Sequence, residues 1–148
     1  MKLFLDTNIL IDYLARREPY FSDAKKLRIA ALFGDVELWA SLQSYTDAEY
    51  ILRRAIPVDT LRAMMEKTLP FVQVVSPEPE DLEAGTRCGW PDLEDFLIAR
   101  CAVRTGADYL VTRDVKGFAH SEVEVVAPTE FFALLEEEWG ILYDEIDG

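Results

Sequence analysis

Residues 1–14 read MKLFLDTNILIDYL, an apolar run broken at its sixth position by Asp6-Thr7-Asn8. Leu3, Phe4 and Leu5 have the density of a short buried strand, whereas Ile9, Leu10, Tyr13 and Leu14 recur at the spacing of one helix face. The polar triplet is therefore the joint between a strand and a helix. Asp, Thr and Asn are the residues that cap helix N-termini, so local structure alone accounts for them. The stretch by itself leaves open whether Asp6 does more than start a helix.

The same strand-then-helix grammar repeats along the chain. Apolar β-type runs occur at KLFL (2–5), VELWA (36–40), FVQVV (71–75), DYLVT (108–112) and VEVVA (123–127). Helical periodicity fills 8–16, 20–33, 42–55, 59–69, 78–86, 92–105 and 129–138. Gly34-Asp35, Pro57, Gly89-Trp90-Pro91 and Gly106 punctuate these segments. Alternation of this kind predicts an α/β fold: a central, mainly parallel sheet of four to five strands between helical layers, joined by right-handed crossovers. There is no repeat, low-complexity tract or linker, so one domain over residues 1–138 is expected, followed by an acidic tail at 139–148.

At 148 residues a single domain buries roughly 68–70% of its unfolded surface and needs no staple. Cys88 and Cys101 sit in neither metal-like nor disulfide-like spacing, which suits a reducing compartment. No leader pattern and no uncharged stretch near the ~20 residues that span a bilayer is present, so a cytoplasmic location away from membranes is expected. Fifteen Lys and Arg stand against 28 Asp and Glu, a formal net charge of -13. That balance disfavours extended, non-specific binding to phosphate backbones and suits a basic partner or a metal site. The C-terminal EEEWGILYDEIDG alone carries six carboxylates and no cation, and reads as a solvated tail.

In parallel α/β sheets the strand carboxyl ends and the following helix amino ends share one edge, where ligands bind. Asp6, Asp47, Asp92, Asp95 and Asp114 are placed there by four separate segments. One such acid is ordinary beside a helix N-terminus. Several together repel one another unless a cation holds them. Helical rotation refines the set. Asp95 shares a face with Ile98, Ala99 and Ala102, while Glu94 points away as a surface residue. Between 42 and 55 the apolar face is Ser44, Ala48, Ile51, Leu52 and Ala55; Asp47 borders it, and Glu49 has Arg53 four residues on as a surface partner. Asp12 reads as a solvated-face residue. In LVTRDVKGF, Thr112 and Asp114 suit either a tight turn or the acidic cluster, and the stretch does not decide.

Taken together, LDTNILIDYL, TDAEYILRR, PDLEDFLIARCA and YLVTRDVKGF resemble a PIN domain in order and spacing, from Met1 to about Phe132. Many PIN proteins are metal-dependent ribonucleases, and single-domain members are commonly toxins of the virulence-associated protein C type, each neutralised by an antitoxin. The resemblance implies a three-layer α/β/α PIN-like fold. It carries the catalytic acids onto Asp6, Asp47, Asp95 and Asp114, with Asp6, Asp95 and Asp114 on the metal and Thr7, Asn8, Asp92 and Thr112 in support. It also implies an RNA substrate, an antitoxin protein and a homodimer. Two positions depart from the family: Asp47 stands where Glu is frequent, and Gly117 where relatives often carry Asp before the Phe, which leaves Asp114 as the fourth acid.

An all-oxygen donor set selects Mg²⁺ or Mn²⁺, and no Cys/His group offers a softer site. His120 sits in a loop as a surface residue. Local cations should line the substrate path, with Arg113 and Lys116 nearest the acids and Arg16-Arg17, Lys25-Lys26 and Arg53-Arg54 further away. Two other readings compete. A phosphohydrolase using Asp6 as nucleophile would want a second Asp where Asn8 stands. A catalytically impaired PIN-like scaffold or binding module would explain Asp47 and Gly117.

Overall fold

The computed structural model describes residues 1–143, so Asp144–Gly148, half of the expected tail, lie outside it. In chain order the elements are β1 (Lys2–Leu5), α1 (Thr7–Leu14), α2 (Phe21–Leu32), β2 (Glu37–Ser41), α3 (Leu42–Leu52), α4 (Val58–Thr68), β3 (Val72–Val75), α5 (Pro79–Gly85), α6 (Leu93–Arg104), β4 (Tyr109–Val111), a single 3-10 turn (Val115–Phe118), β5 (Val125–Val126) and α7 (Pro128–Trp139). Every expected strand and helix forms.

The five strands make one all-parallel sheet in the order β3-β2-β1-β4-β5, with Leu3 opposite Leu38 on one side and Tyr109 on the other. β1 is central because its side chains are apolar on both faces, as a strand covered on both sides requires. Leu3 and Leu5 enter one core with Ile9, Leu10, Leu27, Leu61, Phe131 and Leu135, from α1, α2, α4 and α7. Phe4 enters the other with Ile98, Ala99, Cys101, Ala102 and Phe118. The alternation of strand side chains thus sorts the helices into two layers, giving the α/β/α sandwich. Full burial of Phe4, Phe118 and Phe131 contributes on the order of 1.5–3 kcal/mol each.

Several local expectations change. Asp12 is 1% exposed rather than solvated, and both its oxygens accept from the Arg113 guanidinium, at 2.6 and 3.1 Å. Glu49 pairs with Arg62 of α4, not with Arg53, whose guanidinium lies over the Tyr50 ring. α3 stops at Leu52, so Ala55 falls past the helix, and Ile51, expected on the apolar face, is exposed. Gly140, at φ 64°, ends α7 in a left-handed cap that glycine adopts without strain. Beyond it Ile141 and Tyr143 pack back on the core, the Tyr143 ring stacking on Phe33 and its hydroxyl donating to Asp35. No helix among the described residues is long and apolar enough to cross a membrane.

Candidate acidic site at the carboxyl edge of the sheet

β1 ends in Asp6, whose extended backbone turns the chain into α1. Its carboxylate caps that helix, accepting the Thr7 N–H at 2.7 Å through Oδ1. Oδ2 accepts the Thr112 hydroxyl, also at 2.7 Å, from the end of β4. The Thr112 oxygen in turn accepts the Asp114 N–H at 3.0 Å and the Asn8 amide at 3.4 Å. One hydroxyl therefore fixes acids from two adjacent strands and uses its full bonding capacity. Asp6 is 6% exposed, and burial raises its pKa despite these donors.

Asp92 caps α6, accepting the Asp95 N–H at 3.0 Å. Asp95 then sits in the first turn, where side chains lean back off the helix end towards the sheet edge. Its pKa is pushed up to about 7, by burial first and then by the negative charges of Asp92, Asp6 and Asp114. Asp114 caps the 3-10 turn, accepting the Gly117 N–H. A Cβ on Gly117 would lie 2.5 Å from an Asp114 carboxylate oxygen and 3.2 Å from one of Asp95. Glycine thus leaves a hollow between the two acids that any other residue would fill.

A second group borders the first. The Thr7 hydroxyl shares a hydrogen bond with Ser44 at 2.7 Å and approaches Glu94 at 3.4 Å. Glu94 is half-buried, not a surface residue, and its carboxyl meets that of Asp47. Its pKa is raised by burial and then by Asp47. The Asp47 Oδ2 atom is buried without any donor. Helical rotation misplaces Glu94 because it holds for residues inside a helix. It is the second residue of α6, where a side chain projects from the helix end.

The structure thus gathers Asp6, Asp92, Asp95 and Asp114, and links them through Glu94 to Asp47. Among the described residues none of these six has a Lys or Arg nitrogen within 4.0 Å. Arg113, expected on the substrate, is committed to Asp12 and lies 3.9 Å from the centre of the Tyr20 ring. Lys116 is exposed and makes no ion pair among the described residues. His120 is exposed near Trp90. As they stand, no three His, Cys, Asp or Glu side chains of the described residues close on one point. The donor set still fits a hard cation: oxygens only, crowded like charges, a hollow at Gly117 and an orphaned carboxylate oxygen.

Comparison with known proteins identifies the fold and the family. No curated protein matches the chain. Similar solved structures include VapBC-1 from nontypeable Haemophilus influenzae, at 24% identity over 87% of this chain and 99% of that one, with a TM-score of 0.63. A toxin-antitoxin complex from Klebsiella pneumoniae is similar at 22% identity, 85% and 97% coverage, and TM-score 0.62. VapC20 from Mycobacterium tuberculosis, a sarcin-ricin-loop-cleaving toxin, is similar at 16% identity, 83% and 98% coverage, and TM-score 0.64. At these identities the likeness is one of fold. The sequence match to the PIN domain spans residues 2–116, most of the sheet and every acid of the site, and the chain belongs to the PIN domain family.

Proposed function

We propose that the chain is a metal-dependent endoribonuclease that hydrolyses RNA phosphodiester bonds as the toxin of a toxin–antitoxin pair. The observation that carries this reading is the set of carboxylates gathered at one sheet edge with no ion pair to a cationic side chain among the described residues. Asp6, Asp95 and Asp114 would hold Mg²⁺ or Mn²⁺, with Asp47 and Glu94 beside them. When bound, the cation supplies charge for the phosphoryl oxygens and acidity for an attacking water. The chain's own residues do the positioning. Thr112 and the Thr7 N–H fix both Asp6 oxygens, and the Asp92 cap fixes the start of α6 and with it Asp95. Exposed Lys116, two residues after Asp114, would be the cation that meets a phosphate. Water as nucleophile gives a 5′-phosphate and a 3′-hydroxyl and requires no 2′-hydroxyl.

The toxin role, an antitoxin partner, a homodimer and action in the cytoplasm belong to the same reading, supported by the similar toxin structures. A second reading, a scaffold with an impaired site, is favoured by the splayed acids and by Gly117. Incubation with a mixed pool of structured and single-stranded RNAs, in Mg²⁺, in Mn²⁺ and in chelator, separates them. Cutting that needs metal supports the nuclease. No cutting, together with no Mn²⁺ binding by calorimetry, supports the scaffold.

A further inference from the structure

Beside the acids lies a cavity of about 260 Å³ lined by Asp12, Tyr20, Asp23, Arg113 and the start of α7 at Pro128 and Thr129. We propose that this cavity is a base-recognition subsite, taking a guanine of the RNA strand next to the cleaved bond. The proposal rests on the nuclease reading and adds to it a substrate preference.

Position comes first. Arg113 stands between Thr112, bonded to Asp6, and Asp114, and its N–H reaches the Asn8 side chain at 3.5 Å. The cavity is therefore one residue from the acids, within a nucleotide's reach of a phosphate held there. Its floor is flat. The Arg113 guanidinium is locked by both Asp12 oxygens and stacked over Tyr20, which is 44% exposed. Neutralised in this way, Arg113 is a poor phosphate clamp, but planar Arg and Tyr groups are what unstacked bases pack on. The cavity is small beside the ~300–1,000 Å³ of sites that enclose drug-sized ligands, which suits one ring system.

The walls then choose the edge. Asp23 is half-buried on the cavity, where Lys26 is the cation that acts on it and no hydrogen bond to it is found among the described residues. Opposite in chemistry, α7 begins without a side-chain cap, and the backbone N–H of Thr129 has no acceptor among the described residues. A carboxylate and a free donor lining one cavity match guanine, whose N1–H and N2–H₂ donate together while O6 accepts. Adenine offers only one donor on that edge. Asp12 and Arg113 cancel each other's charge, which leaves Asp23 to disfavour a phosphate, so the base enters in preference to the backbone.

The test uses the full chain with Mn²⁺ and short single-stranded RNAs carrying one guanine, inosine or adenine in an otherwise uniform sequence. Expected is cleavage beside guanine about tenfold faster than beside adenine, with inosine, which lacks the 2-amino group, between them. Asp23→Asn should erase that preference, and Tyr20→Ala should weaken cleavage beside every base. Both side chains are partly exposed, and a circular dichroism melt checks that the variants fold. Cleavage by the wild type without base preference, or a preference untouched by Asp23→Asn, overturns the subsite and leaves the nuclease standing. If none of these oligonucleotides is cut, the mixed RNA pool and Mn²⁺ calorimetry decide the nuclease, and anisotropy of the same labelled strands decides the subsite separately: equal binding of guanine and adenine strands overturns it. Displacement of bound RNA by N-acetylarginine amide but not by 5′-GMP would assign the cavity to a protein partner's basic side chain, and also overturns it.

Discussion

Asp81 and Asp95 are both acids on the same side of the sheet, and the fold treats them in opposite ways. Asp81, at 0% exposure, accepts from Arg100 at 3.1 Å and from Arg104 at 2.8 and 2.9 Å. These arginines hold its carboxyl down at about 2. Asp95, whose charged neighbours among the described residues are carboxylates, is pushed up to about 7 by burial and then by those charges. The chain has the means to neutralise a buried acid and uses them where α5 is fastened to α6. At the sheet edge it withholds them. An arrangement that costs stability and stays uncompensated marks a place completed by something outside the chain.

The sharpest way to break this comparison is to neutralise the acids one at a time. Asp6→Asn and Asp95→Asn should each lower metal-dependent RNA cleavage by roughly a thousandfold or more, since each removes a charge the cation depends on. Thermal melts should show both variants folded, and Asp95→Asn at least as stable as the parent at pH 8, because repulsion is relieved. Full activity in either variant would mean the site is misplaced.

Asp81→Ala should do the reverse. Activity per folded molecule should persist, while stability in a urea titration falls by about 2–3 kcal/mol. That is below the ~3–5 typical of a broken buried pair, because Arg100 and Arg104 are 36% and 40% exposed and regain water. A drop in activity without a drop in stability would show that the two acids are not separate systems.

The contrast also has a pH signature. The folded pKa of Asp81 is depressed, so its contribution is present above the unfolded value near 3.8 and is lost as pH falls through about 2. The folded pKa of Asp95 is raised, so the folded form binds the proton more tightly and stability falls as pH rises from about 4 through about 7. In chelator, melting temperature should therefore decline on the alkaline side of pH 5. Mn²⁺ should reverse the decline, and Asp95→Asn should flatten it. A metal-free melting temperature that climbs from pH 5 to 8 would contradict the assignment.

How much of this was written in the sequence follows from the range of the interactions. Strands and helices were legible because buried parallel strands are apolar runs and helix faces repeat locally, and Pro57 and Gly106 mark where they stop. The meeting of Asp6, Asp95 and Asp114 was legible because strand ends and helix starts in this topology share an edge. Partner choice was not. Asp12 finds Arg113 across 101 positions, and Asp81 finds its arginines 19 and 23 residues away. Glu49 passes over the arginine four residues on for Arg62 on the next helix. No periodicity encodes such pairs; they follow from how the helices pack.

The smallest expected effect concerns Glu94, where the two kinds of region meet. Its carboxyl faces that of Asp47, whose Oδ2 is buried with no donor. Two carboxylates in contact need a shared proton or a cation between them, and the folded pKa of Glu94 is accordingly raised, so ionising the pair as pH climbs costs stability. Glu94→Gln supplies a permanent N–H donor to Asp47. It should keep cleavage within a few-fold of the parent and raise the metal-free melting temperature slightly at pH 8. Glu94→Ala opens the contact and leaves Asp47 unsupported, so it should raise the Mn²⁺ concentration needed for half-maximal cleavage, which a merely structural residue would not move. If Gln and Ala behave alike in that titration, Glu94 contributes only packing, and the uncompensated region ends at Asp95.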